Sequence, residues 1–261
     1  MDWIEAIILG IIQGLTEFLP VSSSGHLEIG KALLGVEAQE SLIYTVVVHG
    51  ATVLSTIVVF RQEILKLIQD FFKFKWNEST QYIVKIGISM IPVLLVGIFF
   101  KDQVESLFTG NILLVGFMLL FTAILLSFTY FSKSRKKDVG FWDALIIGIA
   151  QAVAVLPGIS RSGSTIATGI LLGNKKENVA KFSFLMVLLP IIGANLLDIA
   201  SGEFVHDVAI SPLALGLGFI SAFVSGLLAC KLMIRIVNKG KLIYFAIYCL
   251  IVGVIAIISA I

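Results

Sequence analysis

Six apolar stretches constrain this chain more than any other feature. Each approaches the roughly 20 residues that a helix needs to cross about 30 Å of hydrocarbon. They run over about 42–60, 82–100, 112–131, 182–199, 213–234 and 243–261. Of the 261 residues, 58% are hydrophobic and 14% charged, and the mean hydropathy is +1.02. Soluble domains carry about one-quarter charged residues, and a soluble core of this size cannot hide so many apolar side chains. The net charge of +2 offers no basic face for phosphate backbones, so no nucleic acid is expected as a partner. The chain reads as an all-α integral membrane protein. Cys230 and Cys249 lie in or beside apolar stretches without metal or redox spacing and read as small hydrophobes. Met1-Asp2-Trp3-Ile4-Glu5 is acidic where a signal peptide needs positive charge, so no cleavage is expected.

Two further apolar stretches are shorter and run into polar breaks. Residues 3–19 meet Pro20-Val21-Ser22-Ser23-Ser24-Gly25-His26, and residues 142–156 meet Pro157-Gly158-Ile159-Ser160-Arg161-Ser162-Gly163-Ser164-Thr165. At about 1.5 Å per residue the second reaches only about 22 Å. Lys and Arg cluster near 61–75, 133–137, 175–181 and 231–241, while the loops near 101–111 and 200–212 hold only Lys101. Positive loops stay cytoplasmic, so the chain must cross an even number of times between Lys137 and Lys175. About 35 residues cannot make two full spans and a turn. A re-entrant hairpin over 142–173 solves this. A second, over 3–35, then dips in from outside, and both termini lie outside.

Gln13 recurs as Gln151, and Ser22, Ser24 and Gly25 recur as Ser160, Ser162 and Gly163, all 138 positions later. The fold expected is an inverted-topology repeat, residues 1–138 and 139–261. Each half is a re-entrant helical hairpin plus three transmembrane helices, in one membrane domain. Such repeats place a binding site near the midplane, where interrupted helices meet. Irregular backbone survives at that depth only where it lines a polar cavity.

The halves differ where chemistry would sit. Glu17 faces Val155, Ser23 faces Arg161, and His26 faces Ser164. Arg161 stands in a Gly/Ser-rich turn before a helix expected to start near Thr165. Free N–H groups, a positive dipole end and a guanidinium together make a phosphate cradle, with Ser22, Ser160, Ser162, Gly163 and Thr165 as its small residues. The competing reading pairs Arg161 structurally with Glu17. Gln13 and Glu17 share a helix face at i, i+4, with Gln13 and Gln151 in supporting roles. Glu17 suits a general base or a ligand for Mg²⁺ or Ca²⁺. His49, alone within a span, reads as a helix-packing residue, His206 as solvated, and Asn195 and Asp198 as packing or capping residues. Phe71-Phe72-Lys73-Phe74-Lys75-Trp76 reads as an interfacial amphipathic stretch.

These two breaks carry a resemblance. Gln13 to His26 looks like the (E/Q)-x-x-x-E segment and following His of the undecaprenyl pyrophosphate phosphatases, the bacitracin-resistance proteins. Pro157 to Thr165 matches that family's P-G-x-S-R-S-x-x-T motif. The resemblance covers essentially the whole chain. It implies hydrolysis of undecaprenyl pyrophosphate to the monophosphate carrier plus inorganic phosphate, recycling the carrier for peptidoglycan synthesis and conferring bacitracin resistance. It implies a bacterial inner-membrane location with the site open to the outer face, and a divalent cation, Mg²⁺ or Ca²⁺. Glu17, Ser23, His26, Ser160, Arg161 and Thr165 carry over as functional residues, while Gln13 replaces the first acid of the pair. Three mechanisms stay open: Ser23 attacking with His26 or Glu17 as base, His26 attacking directly, and a Glu17-activated water. The alternative function is a transporter or flippase of an anionic polyprenyl phosphate lipid. Partners are then the polyprenyl diphosphate and membrane lipids, and the oligomeric state, a homodimer among the options, is open.

Overall fold

A computed structural model describes residues 1–36, 42–107, 110–132, 137–201 and 210–260, with the side chains of 42, 105 and 198–201 left aside. Lys133, Arg135, Lys136, His206 and the side chain of Asp198 lie outside the described residues. In chain order the helices are α1 (Trp3–Phe18), α2 (Ser23–Leu34), α3 (Leu42–Val59), α4 (Arg61–Phe71), α5 (Glu78–Phe99), α6 (Lys101–Glu105) and α7 (Ile112–Phe131). They continue with α8 (Phe141–Val153), α9 (Arg161–Leu171), α10 (Lys176–Met186), α11 (Leu188–Ser201), α12 (Pro212–Asn238) and α13 (Ile243–Ser259). Among the described residues there is no strand, only an isolated bridge between Lys137 and Asn174.

Among the described residues, four helical segments are long and apolar enough to cross a membrane: Glu78–Phe99, Ile112–Phe131, Lys176–Leu197 and Pro212–Asn238. A fifth arises if α3 and α4 count as one span, but they meet at a 76° bend. The stretch expected to span 243–261 forms a 17-residue helix, about 26 Å long. Cys230 and Cys249 are buried and unpaired, as small hydrophobes in a bundle should be.

Close packing fixes the breaks. Asp2 caps α1, accepting from the Ile4 and Glu5 amides, while Glu5 accepts from the Asp2 amide. The α1 helix then lies against α12 so closely that a Cβ on Gly10 would sit 2.1 Å from Ser221 Oγ and 2.5 Å from the Gly218 carbonyl. A Cβ on Gly14 would meet the Ala222 carbonyl at 2.4 Å. On the other side, a Cβ on Gly148 of α8 would meet the Ser89 carbonyl of α5 at 2.4 Å. Small residues thus let backbones touch where apolar burial alone gives no drive between helices in lipid. The helices after the two breaks start at residues 23 and 161, and those before them at 3 and 141. Both pairs keep the 138-residue separation of the sequence motifs.

One expectation needs correction. The helix after the second break begins at Arg161, four residues before Thr165, because Ser160 takes the capping position and accepts from the Gly163 amide at 3.0 Å. Arg161 is therefore the first helical residue, and Thr165 lies one turn inside.

Candidate active site

Glu17, near the end of α1, is the hub of the buried polar cluster. Its Oε1 accepts from Arg161 Nη2 at 2.6 Å. Its Oε2 accepts from the Ser23 hydroxyl at 2.7 Å and from Gln13 Nε2 at 3.0 Å. His49 Nε2 stands 4.0 Å from the same oxygen. Residues 144 positions apart in sequence thus share one carboxylate. Both Ser23 and Arg161 occupy the first position of a helix, so two residues that lie 138 positions apart in sequence converge on Glu17.

The turns aim these side chains. Ser22 caps α2 with φ 71°, a left-handed conformation for a residue bearing a Cβ. Such backbone costs on the order of 1–3 kcal/mol and clusters at functional sites. The Gly25 amide donates to Ser22 Oγ, and the His26 amide to its carbonyl. In the second break, the Ser160 amide donates to Thr122 Oγ1 of α7 at 3.1 Å, and Ser162 Oγ donates to the Leu19 carbonyl at 3.1 Å. The breaks also touch: a Cβ on Gly25 would lie 3.1 Å from the Gly158 Cα. The amides of Ser23, Ser24, Arg161 and Ser162 have no backbone or cap partner among the described residues. Two helix N-termini therefore offer free donors beside a guanidinium, the arrangement that holds anions.

A narrow cavity of about 20 Å³ opens on this cluster. Glu17, Arg161, Ser162, Thr52, Thr56 and Ser183 give it polar groups, and Phe18, Phe184 and Leu188 contribute apolar wall. Thr165 does not line it. The Thr165 hydroxyl donates to the Arg161 carbonyl at 2.9 Å and meets Ser183 Oγ, so it holds the first turn of α9 in place. Gln151 is buried with neither amide atom partnered, so it makes no hydrogen bond to the Glu17 cluster.

His26 does not bond to Ser23. Its Nδ1 donates to the Ser22 carbonyl at 2.9 Å, which leaves Nε2 of the neutral ring to accept from the Tyr248 hydroxyl at 2.8 Å. The two rings stack 5.5 Å apart. The His49 Nδ1 bonds to the Thr45 carbonyl of its own helix at 2.8 Å, not to another helix as a packing residue would, and its other nitrogen faces Glu17. An ionisable residue within a span was the available signal for His49. Nothing in the sequence announces Tyr248, Thr122 or Ser183.

The sequence matches the family described as bacitracin resistance protein BacA over residues 6–255. The chain belongs to this family. It is 60% identical to an undecaprenyl-diphosphatase of Bacteroides fragilis over 262 aligned residues, covering 99% of this chain and 98% of that protein. An undecaprenyl-diphosphatase of Parabacteroides distasonis is 59% identical over 98% of both chains. One from Methanobrevibacter smithii is still 39% identical over 100% of this chain and 99% of its own length.

Proposed function

We propose that this protein removes the terminal phosphate of undecaprenyl pyrophosphate, releasing inorganic phosphate and the lipid monophosphate. Membership of the family and full-length similarity to proteins of that name support the reaction. The observation that carries the site assignment is the shared carboxylate: Glu17 bonds at once to a candidate nucleophile and a candidate phosphate ligand.

In this reading Ser23 Oγ attacks the terminal phosphorus while its proton passes to Glu17 Oε2, already 2.7 Å away. The bond to the bridging oxygen breaks, and the lipid monophosphate leaves with the proton that Glu17 took; Glu17, again a carboxylate, then takes a proton from the water that attacks the phosphoserine and returns it to Ser23 Oγ as inorganic phosphate leaves. Arg161 uses one nitrogen on Glu17, and its remaining donors face the developing phosphoryl charge with the free amides of the helix N-termini. Stabilising that charge is the main demand of phosphoryl transfer. Glu17 is favoured over His26 as the base because His26 directs both nitrogens elsewhere. Bacitracin resistance follows if less pyrophosphate lipid remains for the drug to capture.

A divalent cation remains part of this reading. Among the described residues no three His, Cys, Asp or Glu side chains gather as a metal cage. Gln13 Oε1, buried and unpartnered, and Glu17 supply two oxygens. Hard cations bound through one or two protein groups and substrate phosphates fit such a sparse set. Gln13 and Glu17 would hold the ion, which would offset diphosphate charge.

The inverted repeat, the two re-entrant hairpins and a cavity open to the outer face of the bacterial inner membrane belong to the same proposal. The shared 138-residue separation, the packing of each first hairpin helix on a long helix of the other half, and the loop charges support them. The one-sided placement of Glu17 and Ser23 supports hydrolysis over carriage. Phosphate release from a polyprenyl diphosphate by purified protein, with and without chelator, tests the function. Folded protein that releases none with Mg²⁺ or Ca²⁺ present would refute it.

A further inference from the structure

A second polar cavity lies away from the Glu17 cluster, where α4, α5 and α10 meet. Its volume is about 210 Å³, and Glu63, Lys66, Glu78, Ser79, Tyr82 and Lys181 line it. Its charges are only half matched within the protein. Lys181 Nζ pairs with Glu63 at 3.4 Å, and the Ser79 hydroxyl donates to Asp70. Lys66 and Glu78 make no hydrogen bond or salt bridge among the described residues. The Tyr82 hydroxyl is buried without a partner, although a buried phenol ordinarily finds one. One exposed cation, whose field also reaches Asp70, one exposed anion and one orphaned buried hydroxyl thus line a single cavity.

The surroundings say what kind of molecule would reach it. The α4 helix turns 76° away from α3, and its Leu65, Ile68 and Phe71 are exposed. Phe72, Phe74 and Trp76 follow, about two-thirds exposed or more. An amphipathic helix with such a face lies in the membrane interface, at the depth of lipid headgroups. A ligand that satisfies the cavity must carry both charges at that depth.

We propose that this cavity binds the headgroup of a phospholipid carrying a phosphate and a primary ammonium, as in phosphatidylethanolamine. Lys66 and the Tyr82 hydroxyl take the phosphate, and Glu78 takes the ammonium. A primary ammonium donates three hydrogen bonds to oxygen. A quaternary one donates none, so a choline headgroup leaves Glu78 with charge attraction alone.

The test uses the full-length protein in detergent, equilibrated with equal amounts of phosphatidylethanolamine, phosphatidylcholine and phosphatidylglycerol of the same acyl chains. Lipid retained after washing is quantified by mass spectrometry. Phosphatidylethanolamine should be enriched about tenfold over phosphatidylcholine, the worth of one charge-assisted hydrogen bond. Tyr82→Phe and Glu78→Gln should each reduce that enrichment, while phosphate release and thermal unfolding of both variants match wild type. Lys66→Gln gives a third readout should either variant misfold. Equal retention of the three lipids, preference for phosphatidylglycerol, or enrichment unchanged in the variants would overturn the proposal. So would loss of bound lipid to millimolar inorganic phosphate or glycerophosphoethanolamine, which would make the ligand a soluble phosphate compound.

Discussion

Replacing Glu17 by glutamine keeps the shape of the side chain and removes its charge and one acceptor. Three donors converge on this carboxylate: Arg161 at 2.6 Å, Ser23 at 2.7 Å and Gln13 at 3.0 Å. An amide oxygen can serve only part of that set, and the new NH₂ must face a former donor. Removing one partner of a fully buried ion pair costs about 3–5 kcal/mol. The Arg161 side chain is 27% exposed, which lowers that cost towards the ~1–3 kcal/mol of an unsatisfied buried group. The fold should therefore survive. Turnover should not, because a positioned general base contributes about 10²–10⁴-fold. We expect kcat for phosphate release to fall by about that factor and KM to move less, since Arg161 and the helix N-termini remain. Adding Ser23→Ala should cost little more, because nucleophile and base act as a unit. A folded Glu17→Gln protein that turns over within about tenfold of wild type, against that ~10²–10⁴ expectation, would refute Glu17 as the base.

Three further outcomes are expected. Arg161→Lys keeps the charge but loses the planar fork, so activity measured by phosphate release should fall at least about tenfold, equivalent to ~1.4 kcal/mol. A cysteine placed within 202–208 should label with an impermeant thiol reagent from outside and one within 134–137 should not; the reverse pattern would overturn the orientation. Lys175 at 3.0 Å and Asn178 at 2.6 Å bond to Asp138 and hold its carboxyl below the usual range. That contribution is present above the ordinary carboxylate pKa and is lost as pH falls through the depressed value, so amide exchange near 174–178 should rise only in strong acid and already at neutral pH in Asp138→Asn.

Much of this molecule was legible because membrane physics leaves few choices. Apolar runs of about 20 residues become helices, and α5, α7 and α12 lie where hydropathy puts them. The paired breaks were visible because Ser-x-Ser-Gly recurs 138 residues later. The contact between Arg161 and Glu17 was foreseen as one of two readings, since a charge at depth needs a partner. The start of α9 was misplaced because Ser160, Ser162, Ser164 and Thr165 all suit a cap, and only backbone geometry selects Ser160. The bend after Val59 left no proline or glycine to mark it. Partners that meet across the bundle, such as His26 with Tyr248, 222 positions away, have no local signature in one sequence.

The most direct test of the mechanism asks where phosphate goes. Purified protein is mixed with polyprenyl diphosphate labelled in its terminal phosphate, quenched within a turnover, and its peptides are analysed by mass spectrometry without acid exposure. Label on Ser23, absent in Ser23→Ala, is the predicted result. Label on His26, or turnover with no labelled residue and full activity in Ser23→Ala, would contradict attack by Ser23.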